Sequence, residues 1–147
     1  MNENQPQPAA DDREADESEF SQALGIESLG VIDGATTLAL DLEQKHMSRA
    51  SRAHGGVLFT LLDSALGRAI LENLPEGRGC ATVEIKINYF RPVQRGRILA
   101  RGWMRELTKS LGYAEGEIVN EEGKVLARAS GTFFLTSTLR QQDRERI

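Results

Sequence analysis

Hydrophobic and polar positions follow two different periods along this chain of 147 residues. Between Val57 and Leu74 the apolar side chains fall on nearly every side of a helical projection, and Pro75 stops the segment. A helix that is apolar all round is a buried helix. The pattern therefore predicts one long helix, over 57–74, at the centre of the fold, with a shorter helix over 18–25.

Four segments after this helix, and one before it, have the period of two that is typical of β-strands. In 82–90 the pattern predicts one face with Val83, Ile85, Ile87 and Tyr89, and another with Thr82, Glu84, Lys86 and Asn88. No helix separates the four later strands, so we expect an antiparallel sheet that runs as a meander. Gly30 and Gly34 serve as breakers before the first strand. The predicted strands are 34–42, 82–90, 97–107, 113–119 and 124–135.

These elements predict an α+β domain in which an antiparallel sheet of five to six strands wraps around one long buried helix. A single layer of sheet cannot cover a helix completely. Dimerisation is the natural way to finish the core.

Composition adds the boundaries of the folded unit. Residues 1–20 carry seven acids and one base, so their net charge is −6, while the remaining 127 residues carry +2, and the sum is the −4 of the whole chain. We expect residues 1–17 to form a disordered acidic tail, residues 18–136 one domain, and residues 137–147 a polar tail. The sequence has no cluster of basic residues of the kind that binds nucleic acid. No apolar run reaches the length of a membrane span, and we expect a cytoplasmic protein. The single cysteine, Cys80, excludes an internal disulfide.

One carboxylate stands inside the most apolar segment of the chain. Asp63 is the one ionisable side chain between His54 and Gly67, and burial of an unpaired carboxylate costs several kcal/mol. Three explanations of Asp63 are open: it forms a salt bridge with an arginine, it lies on a solvent-facing side of the helix, or it belongs to an active site. Gly55 and Gly56 open the same helix, where free N–H groups suit a developing oxyanion. The alternative is that the two glycines only serve a tight turn.

The spacing of these residues constrains any site that they form. Gly56 and Asp63 are seven residues apart, so they share a face of the helix but lie roughly 10 Å apart along its axis. One reacting carbonyl cannot touch both residues on one helix. Two antiparallel copies of the helix can bring Gly56 of one chain near Asp63 of the other, which predicts two shared sites in a homodimer.

The motif and its surroundings resemble the hot-dog-fold acyl-CoA thioesterases, and most of all the phenylacetate-pathway, PaaI-like branch. The resemblance covers roughly residues 24 to 136. It rests on His54-Gly55-Gly56, Asp63, Thr82-Val83-Glu84-Ile85, Asn88-Tyr89-Phe90-Arg91-Pro92, Gly96 and Gly131-Thr132-Phe133.

The resemblance implies hydrolysis of an acyl-CoA thioester to a carboxylic acid and CoA. Gly56 matches the backbone N–H that polarises the thioester carbonyl, and Asp63 matches the catalytic carboxylate, as general base or as nucleophile. Thr82 lies where the family often orients a water molecule. His54 either shapes the carbonyl end of the site or only braces the loop. Ser48 stands where the family usually has an asparagine in the carbonyl site.

The coenzyme A half of the site is implied at two places, Arg91 and the turn Lys109-Ser110-Leu111-Gly112, with Gly55 beside the reacting group. A row of arginines, Arg95, Arg97, Arg101 and Arg105, is either part of this site or a solvated basic face. We expect no metal, and no cofactor apart from the CoA of the substrate. Dimers of this fold often pair into tetramers.

Two other functions remain open at this point. Hydratases and dehydratases of the same fold use a histidine with an acid at other spacings, and no such motif occurs here. A non-catalytic acyl-CoA-binding regulator would need a DNA-binding helix pair, for which residues 1–26 are too short and acidic.

Overall fold

The computed structural model describes residues 18–137. The predicted acidic tail, 1–17, lies outside the described residues, and so does the predicted C-terminal tail, except for Ser137. That residue ends the last strand, because its backbone still pairs with Arg78.

The first helix confirms the prediction for this part of the chain. Helix α1 spans Glu19–Leu24, with the Ser18 hydroxyl capping its start and Gly25 in the left-handed conformation at its end.

Two strands, not one, precede the long helix. β1 spans Glu27–Ile32 and β2 spans Ala35–Asp41, joined by a two-residue turn in which Asp33 and Gly34 both have positive φ. The expectation that Gly30 interrupts the chain before the first strand is wrong. Gly30 lies inside β1, at a shift in the pairing register, and its φ of 73° is permitted because glycine has no Cβ.

Helix α2 spans Gly55–Leu71 and so ends three residues before the predicted limit. After Leu71 the backbone hydrogen bonds join residues three apart, such as the bond from Leu74 N–H to Leu71 O. The side-chain Nδ2 of Asn73 donates to Ala69 O. Leu74 precedes Pro75, and a residue before proline avoids the helical conformation.

Four strands follow: β3 (Arg78–Tyr89), β4 (Arg97–Leu107), β5 (Leu111–Val119) and β6 (Val125–Ser137). Over residues 18–137 the sheet has six strands in the order β1-β2-β4-β5-β6-β3, and every neighbouring pair is antiparallel. The expected meander holds for β4, β5 and β6, but β3 pairs with β6 at the edge of the sheet. The segment after β3 therefore carries the chain back to the centre of the sheet.

A β-bulge corrects the predicted faces of β3. Its register shifts between Thr82 and Glu84, and the intervening Val83 is 61% exposed. Thr82 faces α2, with which it forms a hydrogen bond, while Ile85 and Ile87 pack against the core after the bulge. The simple alternation failed because a bulge inserts one extra residue into the period of two.

The core lies between one side of α2 and the sheet. Leu58, Leu61, Leu62, Ala65, Leu66, Ala69 and Ile70 are buried on the helix. Gly102 on β4 lets the backbone of α2 come close, since a Cβ there would lie 2.8 Å from the Ala65 carbonyl oxygen. The opposite face of α2, with Phe59 and Asp63, remains partly exposed within one chain. The prediction of burial on every side is therefore met by this chain on one side only.

Candidate active site

Asp63 lies in the middle of α2 and points toward β3. Its Oδ1 accepts a hydrogen bond of 2.7 Å from the Thr82 hydroxyl. It forms no salt bridge with any residue in the described range 18–137. The alternative of a structural ion pair is therefore not met, and the carboxylate is oriented by a neutral donor while its other oxygen is left for a further partner.

A cavity of about 230 Å³ opens beside this carboxylate, and we call it the carboxylate cavity. Its walls come from α1, from the exposed face of α2, and from β3 and β6. The lining residues are Ser18, Ser21, Asp63, Ser64, Gly67, Arg68, Leu71, Cys80, Thr82 and Phe133. The β-bulge at Val83 places Thr82 in this wall, which is why strict alternation missed the contact.

The start of α2 is held from two directions. The imidazole Nδ1 of His54, the N-cap residue, accepts the Gly56 N–H at 2.9 Å. The Tyr89 hydroxyl donates to the Gly55 carbonyl oxygen at 2.7 Å. Burial raises the pKa of Tyr89, so this hydroxyl remains a donor. The bracing role of His54 is thus present in the structure, and Tyr89 joins the site from a strand position to which the sequence pattern gave no chemistry.

The loop before α2 is fixed by His46, which is buried to 1% exposure. Its Nδ1 accepts the Glu43 N–H at 2.9 Å, and Nε2 contacts the Leu24 carbonyl oxygen at 2.7 Å, so the proton is on Nε2. The carbonyl oxygen of the same residue accepts the His54 N–H. In this loop the Ser48 hydroxyl oxygen is buried and has no hydrogen-bond partner among residues 18–137.

A second cavity, of about 370 Å³, lies beside the start of α2, and we call it the helix-start cavity. Its walls are the loop before α2 and the end of β3, and they include Arg52, Gly55, Leu58, Tyr89, Phe90 and Arg91. Arg91 lines it and also donates to the Val125 carbonyl oxygen at 2.7 Å. Two arginines and two aromatic rings therefore line the same cavity as Gly55.

The turn predicted to bind CoA lies at the other end of the sheet. Arg78, the first residue of β3, contacts the Lys109 carbonyl oxygen, and the Leu135 N–H donates to the Ser110 carbonyl oxygen. Leu111 is exposed, whereas Gly112 is buried against Ile70. β3 has twelve residues, so at about 3.3 Å per residue this turn and Arg91 are separated by roughly 40 Å.

One chain therefore distributes the predicted site residues over three places. His54, Gly55, Gly56 and Arg91 lie at the start of α2, with Ser48 in the loop before it. Asp63 and Thr82 share the carboxylate cavity. Lys109, Ser110, Leu111 and Gly112 lie beyond the first residue of β3.

Three arginines of the row lie on β4, and each of the three pairs with a carboxylate. Arg97 contacts Glu27 and Asp41, Arg101 contacts Glu117, and Arg105 contacts Glu115. Hydrogen bonds to Glu27 and Asp41 raise the pKa of Arg97. These pairs support the interpretation as a solvated face, because the charges are already matched within the sheet.

The sequence matches the family model of the thioesterase superfamily over residues 51–127. It is 28% identical to the acyl-coenzyme A thioesterase PaaI of Escherichia coli K12 over 112 residues, which is 76% of this chain and 78% of that protein.

Solved structures agree with this match. The TT0310 protein of Thermus thermophilus is 31% identical, with a TM-score of 0.71, over 80% of this chain and 97% of that one. The BH2602 protein of Bacillus halodurans, solved with CoA, is 27% identical, with a TM-score of 0.77, over 84% of this chain and 80% of that one. Within residues 18–137, no helix has the length and apolar character needed to cross a membrane.

Proposed function

The chain belongs to the thioesterase superfamily and is a thioester hydrolase, and we propose that it hydrolyses an acyl-CoA to a carboxylic acid and free CoA, with Asp63 as the catalytic carboxylate. The observation that carries this assignment is the Asp63 carboxylate itself. It lies on an apolar helix, beside a cavity, with a hydroxyl donor as its partner in place of a cation.

The hydrogen bond from Thr82 gives Asp63 a defined orientation. Because Oδ1 is occupied, Oδ2 is the oxygen that faces the reaction, either taking a proton from water or attacking the carbonyl carbon itself. Attack by the carboxylate forms a mixed anhydride and releases the CoA thiolate, and water then cleaves the anhydride. In a single turnover in ¹⁸O-water, ¹⁸O in the Asp63 side chain identifies the nucleophilic route with water attack at Cγ of the anhydride. Water attack at the acyl carbon labels the product acid instead, as the general-base route does.

The Gly56 amide supplies the electrophilic half of the site. It lies in the first turn of α2, where the helix dipole favours negative charge on the carbonyl oxygen. His54 Nδ1 now accepts this N–H, so the ring marks the place that the thioester oxygen takes once the imidazole turns aside. We propose that the buried Ser48 hydroxyl, in the loop before α2, is a second donor to the thioester carbonyl, and its unpaired state among the described residues supports this role. This reaction needs no metal and no added cofactor.

Two chains are required to assemble these parts. Gly56 and Asp63 lie roughly 10 Å apart along α2, too far for one carbonyl. Among the described strands, β3 lies at an edge and has an unpaired side. Val83, Tyr89 and Phe90, on this strand or just after it, are 61%, 49% and 53% exposed. We propose that two copies pair along β3 about a two-fold axis, a contact that covers this edge.

The same two-fold axis reunites the proposed CoA-binding residues. In an antiparallel β3 pair, the first residues of one strand lie beside the last residues of the other. The Lys109-Ser110-Leu111 turn of one chain then approaches Arg91 and the helix-start cavity of its partner. The charged side chains suit the phosphates of CoA.

Substitution of Asp63 tests the catalytic assignment. Asp63→Asn keeps the size of the side chain but removes the base, so we expect kcat to fall at least ~100-fold on the best substrate of a panel of aryl-acyl and medium-chain acyl-CoAs, followed by free thiol. Asp33→Asn makes the same change in the β1–β2 turn, where asparagine tolerates the positive φ, and should keep full activity. Wild-type turnover in Asp63→Asn would remove Asp63 from the mechanism.

Subunit mixing tests the shared site. Gly56→Pro deletes the N–H in the first helical turn, where proline is tolerated, and Asp63→Ala deletes the carboxylate. Each variant alone should be inactive. Random mixing makes half of the dimers mixed, each with one intact site, so about a quarter of wild-type activity should return. If both groups act within one chain, mixing restores nothing.

Dimers then pair into tetramers in the arrangement that we propose. Leu111, Tyr113 and Phe134 form an exposed apolar cluster on the sheet face that points away from α2. A tetramer mass by light scattering, reduced to a dimer mass by Phe134→Asp, is the expected result.

A further inference from the structure

Gly55 and Gly56 share one peptide unit, and this unit is held at both of its polar ends. Its carbonyl oxygen accepts from the Tyr89 hydroxyl at 2.7 Å, and its N–H donates to His54 Nδ1 at 2.9 Å. A trans peptide is planar, with its C=O and N–H on opposite sides. The orientation of the carbonyl therefore sets the direction in which the Gly56 N–H points.

Tyr89 reaches this peptide from another element. It is the last residue of β3, and its ring lies against the first residue of α2. A Cβ on Gly55 would lie 3.2 Å from the Tyr89 hydroxyl oxygen and 3.3 Å from Cζ, so the glycine leaves room for the close contact. The carbonyl oxygen has a second lone pair for the helix, and this contact costs no helical hydrogen bond.

Donation to the carbonyl also changes the amide electronically. A hydrogen bond to C=O draws electron density from the nitrogen, and successive hydrogen bonds polarise one another by about 10–30% each. The Gly56 N–H thereby becomes a stronger donor toward an acceptor placed beyond the helix start. Because burial raises the pKa of Tyr89, the hydroxyl keeps its proton throughout the neutral range.

We propose that Tyr89 is a positioning residue of the thioester site, acting through the Gly55–Gly56 peptide to aim and polarise the Gly56 N–H. This rests on the proposed function, in which that N–H binds the substrate carbonyl. Tyr89 touches the peptide from the carbonyl side, so it acts without contacting the reacting atoms.

Tyr89→Phe isolates the hydroxyl because it keeps the ring and its packing. Tyr113→Phe is the matched control, since that hydroxyl is on the opposite sheet face and donates to Glu115. For Tyr89→Phe we expect kcat to fall about tenfold while KM changes less than twofold, because the lost interaction matters most in the transition state. Tyr113→Phe should leave both constants unchanged.

A second measurement needs no substrate. In protein labelled with ¹⁵N-glycine, the Gly56 amide should shift upfield in Tyr89→Phe and stay in place in Tyr113→Phe. A Gly56 resonance that does not move, or a kcat equal to that of the wild type, overturns the proposal. Failure of the wild-type protein to release thiol from any acyl-CoA overturns the proposed function instead, whatever the amide does.

Discussion

Helix α2 has two flanks that differ in nearly every physical respect. Toward β4 and β5 it is buried and apolar, and a Cβ on Gly116 would meet Leu66 Cδ2 at 2.8 Å. Toward β3 it bears Asp63, borders a cavity, and faces a strand interrupted by a bulge. One helix thus holds the domain together on one flank and presents reactive groups on the other. Because the flank toward β4 and β5 is closely packed, the flank toward β3 can remain loosely packed.

Truncation of a core side chain is expected to show the largest effect on stability. Leu66→Ala removes buried methyl groups on the closely packed flank and should lower the free energy of unfolding by about 2–5 kcal/mol in urea titrations. Val31→Ala, at a side chain that is 59% exposed on β1, should cost less than ~1 kcal/mol. Equal losses at the two positions would show that the flank toward β4 and β5 is not where stability resides.

The same substitution on each flank sharpens the comparison. Gly102→Ala puts a Cβ against the Ala65 carbonyl oxygen, a backbone atom that cannot step aside, and should cost about 1–3 kcal/mol. Gly67→Ala puts its Cβ 3.4 Å from Phe133 Cε1, an ordinary contact, and gains helix propensity, so its thermal midpoint should be equal or higher. A reversed order in thermal unfolding would contradict the assignment of the two flanks.

The smallest expected change in stability is at Ser48. Its buried hydroxyl has no partner in the part of the chain that the structure describes, so Ser48→Ala should leave the free energy of unfolding unchanged or raise it by up to ~1 kcal/mol. If the hydroxyl is retained for the substrate carbonyl, kcat should fall about tenfold in the same variant. A variant that is more stable and fully active would remove Ser48 from the carbonyl site.

The sequence predicted the positions of the helices and strands better than it predicted which strands pair with each other. The bounds of β4 agree with the alternation because that strand pairs on both sides, and α2 is recognisable from its length and apolar content. The edge position of β3 is not predictable from local periodicity, since it depends on pairing with β6, which begins 36 residues after β3 ends. The Asp33-Gly34 turn carries a hairpin signal in the sequence, because both residues accept positive φ.

The candidate site shows the same division. Asp63 stands out in the sequence because a carboxylate among apolar residues is conspicuous in any register. The contact with Thr82 depends on the bulge, and the contact of Tyr89 with Gly55 depends on where β3 ends relative to α2. Periodicity identifies the face of a helix or strand on which a residue lies. Contacts such as these two arise instead from the packing of elements that are distant in sequence.

The late position of β6 has a consequence for synthesis on the ribosome. β6 separates β3 from the rest of the sheet and supplies Phe133 and Leu135 to the core, yet it follows α2 by more than fifty residues. Because the ribosome adds about 5–20 residues per second, several seconds pass between the synthesis of the apolar helix and that of β6. The closing of this domain is therefore a late event in its folding, which requires β6 to be synthesised first.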